Sequence, residues 1–127
     1  MSGRIYDGFV PGRHVIDAYG AGGFRFADMS HRGSILALPS GVKAWPVASA
    51  KNLIEQDFAP VFAEADNIEF LLIGTGRDIV PIAEALRWRF REALIGTDVM
   101  QTGAAARTYN ILLAENRRVA AALIAVE

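Results

Sequence analysis

The sequence predicts an α/β fold: a mixed β-sheet with helices on its faces, preceded by a β-rich N-terminal hairpin region. Three observations point there. Phe70 to Ile73, Thr97 to Met100 and Arg118 to Val126 read as strands, the first and last nearly continuous in apolar residues, as strands covered on both faces are. The stretches between them carry helical periodicity. Residues 1–47 have another texture, rich in glycine, aromatics and β-formers. Strand, helix, strand, helix, strand after a β-rich start implies helices against a sheet. No linker, charge block or repeat divides the 127 residues, so residues 1–127 are expected to form a single domain.

In the first region, Val15 to Tyr19 and Phe24 to Ala27 flank Gly20, Gly22 and Gly23, as in a hairpin. Ser34 to Leu38 is a strand ending at Pro39-Ser40-Gly41, and Val42 to Val47 another. Pro46 places that strand at a sheet edge, because proline cannot donate to a ladder. Asp57 is the predicted N-cap of a helix with Pro60 in its first turn and Phe58, Val61, Phe62 and Ala65 on one face,. After Phe70–Ile73, Asp78 and Pro81 are expected to start a helix that repeats Ile82, Leu86 and Phe90, with Gly96 at its end,. Thr102 is expected to cap a helix running to about Glu115. The strands near residues 70 and 98 should be parallel, joined by a right-handed crossover.

Composition excludes several classes of function. The chain has no cysteine, which removes disulfides, thiolate metal sites and cysteine nucleophiles and fits a reducing compartment. A net charge of −1 gives no reason to expect nucleic acid or anionic lipid as partner. The longest apolar run, Val119 to Val126, falls far short of the ~20 residues of a membrane span, and the N-terminus lacks a secretory pattern. A cytoplasmic location is the expectation. Hydrophobic residues make up 52%, high for a soluble domain, which raises the expectation of a protein partner. His14 and His31 belong to no metal-ligand pattern, and neither a GxSxG elbow nor a carboxylate pair stands out. No catalytic residue, metal or cofactor is assigned.

The sharpest local feature is LLIGTGRD. A strand ending at Gly74-Thr75-Gly76 before a helix, with Arg77 next, can aim backbone N–H groups at an anion. Position 79 is isoleucine, so the third glycine of GxGxxG is missing, as are the lysine and hydroxyl of a P-loop,. A tight turn needing glycine for geometry is the plainer reading. Thr102 to Arg107 offers a second helix start, which would open at the same carboxyl edge of the sheet, where ligands of open α/β sheets sit. Its plainer reading is a cap plus small residues for tight packing. Asn110, in an otherwise apolar helix, needs hydrogen-bond partners and reads as a clamp onto nearby backbone. Arg87, Arg89 and Arg91 read as a solvated helix face with i,i+3 partners Glu84 and Glu92. Trp45 and Trp88 suit either a core or an interface.

Three segments taken together, GSILALPSGVKAWPV, IEFLLIGTG and DVMQTGAAARTYNILLAENRRVAAALIAV, resemble the domain-of-unknown-function 498 family of small α/β proteins, from about Gly20 to the C-terminus. The most specific part is the threonine and alanine cluster, Arg107-Thr108-x-Asn110 and Glu115-x-Arg117-Arg118-Val119-Ala120. The resemblance implies a three-layer fold around a central mixed sheet whose last strand runs against the others. It implies no catalytic residues. In mitochondria the family includes an assembly factor for respiratory complex I. One departure is Gly103, where many relatives are expected to carry a larger residue.

The leading expectation is a non-enzymatic interaction module that assists assembly of a membrane-associated respiratory complex, as a monomer or weak dimer. The alternative is a small-anion or nucleotide-like ligand site, or a weak enzyme, at Gly74, Thr75, Gly76, Arg77, Thr102, Arg107 and Asn110.

Overall fold

The computed structural model describes residues 8–127. A six-stranded mixed sheet forms the middle layer, in the order β1 (Phe9–Pro11), β6 (Gly41–Trp45), β5 (Ser34–Leu38), β9 (Val119–Leu123), β7 (Phe70–Gly74), β8 (Gly96–Met100). β2 (Ala18–Gly20), β3 (Gly23–Phe26) and β4 (Met29–Arg32) make a separate three-stranded sheet. Among the described residues, three α-helices accompany the sheets: α1 (Ala59–Ala63), α2 (Glu84–Glu92) and α3 (Thr102–Ala114).

The glycine-rich region is a meander with two tight turns. Ala21 and Gly22 connect β2 to β3, and Ala27 and Asp28 connect β3 to β4; all four have positive φ, as two-residue hairpin turns that match strand twist require. Phe24 and Phe26 project from one side of this small sheet and are buried. They pack with Ile35, Ala37, Leu72, Ala121 and Leu123 of the main sheet and with Ala105, Ala106 and Tyr109 of α3. On the opposite face Leu36, Leu71, Ile73, Ala120 and Ala122 meet Phe58, Val61, Leu86 and Phe90. Phe58 lies edge-on to Phe90, with ring centroids 5.2 Å apart.

β7 is parallel to both β8 and β9. The step from β7 to β8 through α2 and the step from β8 to β9 through α3 run in opposite directions along the sheet. One handedness for both crossovers therefore puts α2 and α3 on opposite faces, where the two cores place them.

Several expectations are corrected. The last strand does not run against all the others: β9 is antiparallel to β5 but parallel to β7. β6 is not an edge strand. It pairs with β5 and β1, and it ends at Trp45, so Pro46 falls outside the ladder. Asp57 does not cap an α-helix; it sits in a 3-10 turn over Glu55–Phe58 and accepts the Ile54 N–H at 2.9 Å. The second helix begins at Glu84 rather than near Asp78, leaving residues 75–83 as a loop. Leu94, not Gly96, takes the left-handed conformation after that helix, with φ 61°, and Gly96 opens β8. Trp45 is a core residue whose Nε1 donates to the Asp57 carbonyl at 2.8 Å, whereas Trp88 is exposed.

Candidate functional site

The carboxyl ends of β7 and β8 lie side by side, with Gly74 opposite Met100, so the structure does bring the Gly74–Gly76 turn and Thr102 together. They touch directly. A Cβ added to Gly74 would stand 2.8 Å from the Thr102 Cα, so glycine is needed there for close approach. At Gly76 the need is conformational, with φ at 102° and open space where a Cβ would go.

Thr102 is not the helix cap. Gln101 holds that position and Thr102 is the first helical residue. Its side chain is fully buried and does other work: the hydroxyl donates to the Ile124 carbonyl at 2.7 Å and accepts the Gly76 N–H at 2.9 Å. Its own N–H donates to the Gly76 carbonyl at 2.9 Å. One threonine thus ties the start of α3 to the turn after β7 and to the end of β9. Thr75 performs a similar service within its loop. Its N–H donates to the Met100 carbonyl at 2.9 Å, its hydroxyl donates to the Asp78 carbonyl at 2.6 Å, and that hydroxyl accepts the Val80 N–H at 3.0 Å. The N–H groups of Thr75, Gly76, Val80 and Thr102 are therefore engaged within the chain. Because α2 starts only at Glu84, the glycine turn does not lead straight into a helix N-terminus.

Arg77 and Arg107 are exposed, and neither forms an ion pair among the described residues. The Arg77 carbonyl accepts a bond from Gln101 Nε2 at 2.8 Å. Asn110 lies two turns further along α3. Its Oδ1 accepts the Ile16 N–H and its Nδ2 donates to the Ile16 carbonyl, both at 2.8 Å. This is the backbone clamp its sequence context implies, and it fastens the segment leading into the hairpin region onto α3. Gly103 has a reason the sequence did not disclose: a Cβ there would run into the Tyr19 hydroxyl. Tyr19 thus covers the first turn of α3 from the small sheet.

The strongest pKa perturbation is at Tyr109, which is 1% exposed. Burial pushes its phenol up to about 12, opposed in part by the Arg13 charge. At the surface, the hydrogen bond from Arg117 holds the Glu69 carboxyl below its ordinary value, with burial opposing and the charges of Arg117 and Arg118 adding to the fall. Arg117 also lies over the Phe70 ring, 5.2 Å from its centroid. His14 and His31 each bond to a backbone carbonyl, of Pro11 and Ser34 respectively, and are not neighbours in any group of three potential metal ligands among the described residues. No helix among those residues is long and apolar enough to cross a membrane.

The second conspicuous surface is one the sequence presents only as a solvated helix face. A groove of about 600 Å³ runs between α2 and the outer edge of β8, lined by Ile79, Pro81, Arg87, Arg91, Leu94 and Val99 among others. Arg89 leaves this face to bond Glu55 at 2.9 Å and lies 3.9 Å from Glu92. The expected Glu84–Arg87 pair is not formed.

Comparison with known proteins gives this architecture a setting. An uncharacterised protein of Rhodobacter capsulatus is 37% identical over 86% of this chain and 82% of its own length. The NADH dehydrogenase [ubiquinone] 1 alpha subcomplex assembly factor 3 of Mus musculus is 30% identical over 86% of this chain. That match spans 59% of the assembly factor. Among solved structures, one described as an outer membrane protein from Bartonella henselae superposes with a TM-score of 0.88 at 54% identity, covering 92% of this chain and 98% of that one. The family model described as protein of unknown function (DUF498/DUF598) matches residues 16–124, from the Ile16 that Asn110 clamps to the Ile124 that Thr102 holds, and the chain belongs to that family.

Proposed function

We propose that this protein is a non-enzymatic interaction module that assists assembly of a respiratory NADH dehydrogenase complex. The observation that carries the reading is the relationship to assembly factor 3, which extends over 86% of this chain. The surface supports it: Ile79 and Leu94, both more than half exposed, line one groove beside α2, and neighbouring large apolar side chains in the open suit a protein contact. The test is removal of the protein from cells, followed by native electrophoresis of the NADH dehydrogenase. Accumulated subcomplexes, restored to full complex by the returned gene, are expected. Normal levels of assembled enzyme in its absence would overturn the reading.

A second reading, a small-anion or nucleotide-like ligand near Gly74–Gly76 and Thr102–Arg107, draws support from the guanidinium groups of Arg77 and Arg107, which form no ion pair among the described residues. Under that reading millimolar phosphate raises the melting temperature of the protein and Arg107→Ala abolishes the rise. Identical melts with and without phosphate count against a phosphate site.

A further inference from the structure

β8 is one of the two outer strands of the six-stranded sheet. The Gly96 N–H donates to the Glu69 carbonyl, and the Met100 carbonyl accepts from Thr75. Gly96, Asp98 and Met100 therefore turn their backbone groups toward β7. In a strand the groups of alternate residues point to opposite sides, so the N–H and C=O of Thr97 and Val99 point away from the sheet. They form a short template for one more strand.

The side chains beside that template are sorted by face. Val99 packs with the α2 core and Met100 with the α3 core. On the α2 side, Arg87 and Arg91 line the groove next to Thr97 and Val99, and neither forms an ion pair among the described residues. Arg91 also stacks on the exposed Trp88 ring, 4.9 Å from its centroid. Apolar Ile79 and Leu94, 61% and 87% exposed, complete the walls. A bound strand would set every second side chain between these groups.

We propose that the β8 edge and the α2 groove together dock an extended acidic segment of a partner protein by strand addition. Backbone bonds to Thr97 and Val99 fix its register. Acidic side chains on the α2 side meet Arg87 and Arg91. A second copy of this chain fits less well. The antiparallel self-pairing with fullest overlap centres on Asp98 and sets it directly opposite its symmetry mate, a like-charge pair that destabilises a ladder. The two-fold axis of such a pair stands perpendicular to the sheet, so it would bring both copies' Arg87 and Arg91 to the same face. This inference deepens the interaction-module reading by naming its docking surface, and its test uses purified protein, so it can fail while the assembly experiment succeeds, and the reverse.

The probe is a fluorescent peptide of about eight residues alternating Glu and Thr, a length that covers the template. Its control alternates Lys and Thr. Saturable binding of the acidic peptide is expected, with none of the basic one. Arg87→Glu together with Arg91→Glu, both at the surface, should weaken it at least about tenfold. Amide hydrogen exchange supplies a readout that needs no variant. With peptide bound, exchange at Thr97 and Val99 should slow at least about tenfold. Asp98, already bonded to β7, should change little. Absence of saturable binding overturns the proposal. So does binding that leaves Thr97 and Val99 unprotected, which is charge attraction alone, or protection of those amides at high protein concentration without peptide, which is self-pairing.

Discussion

Thr102 joins three parts of the chain at a single side chain, because its hydroxyl serves backbone groups of the turn after β7 and of the end of β9 from the first turn of α3. Thr102→Val keeps the shape and removes both bonds. It leaves the Gly76 N–H and the Ile124 carbonyl without their partner, and an unsatisfied buried group costs about 1–3 kcal/mol. Thr102→Ser retains the hydroxyl, so most of the loss should be recovered; urea melts of the three proteins measure the difference. A valine variant as stable as the parent would show that water replaces the hydroxyl. Asn110 was legible as a clamp, since an amide in an apolar helix must find partners. The role of Thr102 was not. A threonine before an alanine run reads as a cap, and only the tertiary approach of β9 turns its hydroxyl inward.

Among the elements, β9 sits between β5 and β7 and is buried throughout. Its alanines let α3 approach closely on one face, with Ala121 toward Ala105 and Ala106, while Ala120 and Ala122 meet the large side chains of the other core, Phe58 and Phe90 among them. Leu123 fills the wider end near the hairpin region. Leu123→Ala should cost about 2–5 kcal/mol, as truncation of a fully buried leucine does, and a loss under about 0.5 kcal/mol in denaturant melts would show that the end of β9 can collapse around the gap. α3 contributes a pH dependence. Tyr109 keeps its proton more tightly when folded, with a pKa of about 12 against 10 for the free group. Between those values the folded state binds more protons than the unfolded one, so stability falls as pH rises. The contribution is complete below pH 10 and lost through pH 12, about 2–3 kcal/mol in all. Melts from pH 9 to 11.5 should show the decline, and Tyr109→Phe should flatten it. Strand positions were readable from apolar runs because both faces are covered. The start of α2 was not, because Asp78 and Pro81 are equally good loop residues and Thr75 ties that loop to itself.

At the scale of the whole molecule, the layers and the parallel β7–β8 pair followed from element order, but the neighbours of β9 did not. Its apolar run demands a central position without choosing between directions, and the hairpin region supplies antiparallel β5 on one side while β7 lies parallel on the other. The resulting sheet has two outer strands, and both carry features that oppose self-association. β1 has only three residues and ends at Pro11, which limits its pairing. β8 is longer but carries Asp98, exposed at its centre. The protein should therefore sediment at micromolar concentration as a monomer near 13.7 kDa or as a weak dimer. Asp98→Val tests what restrains it. The change leaves the bonds to β7 in place and removes the like charge from the most favourable self-pairing register. It also sets a β-branched residue between Thr97 and Val99, which raises the strand propensity of the outer edge. Sedimentation of this variant should shift toward dimer at concentrations where the parent is monomeric. Asp98→Asn removes the charge without adding an apolar β-former, so an intermediate shift separates repulsion from propensity. If Asp98→Val stays monomeric, the arginines of α2 are the stronger restraint, and Arg87→Glu in the same background should release it by giving each copy an acidic group to face its partner's Arg91.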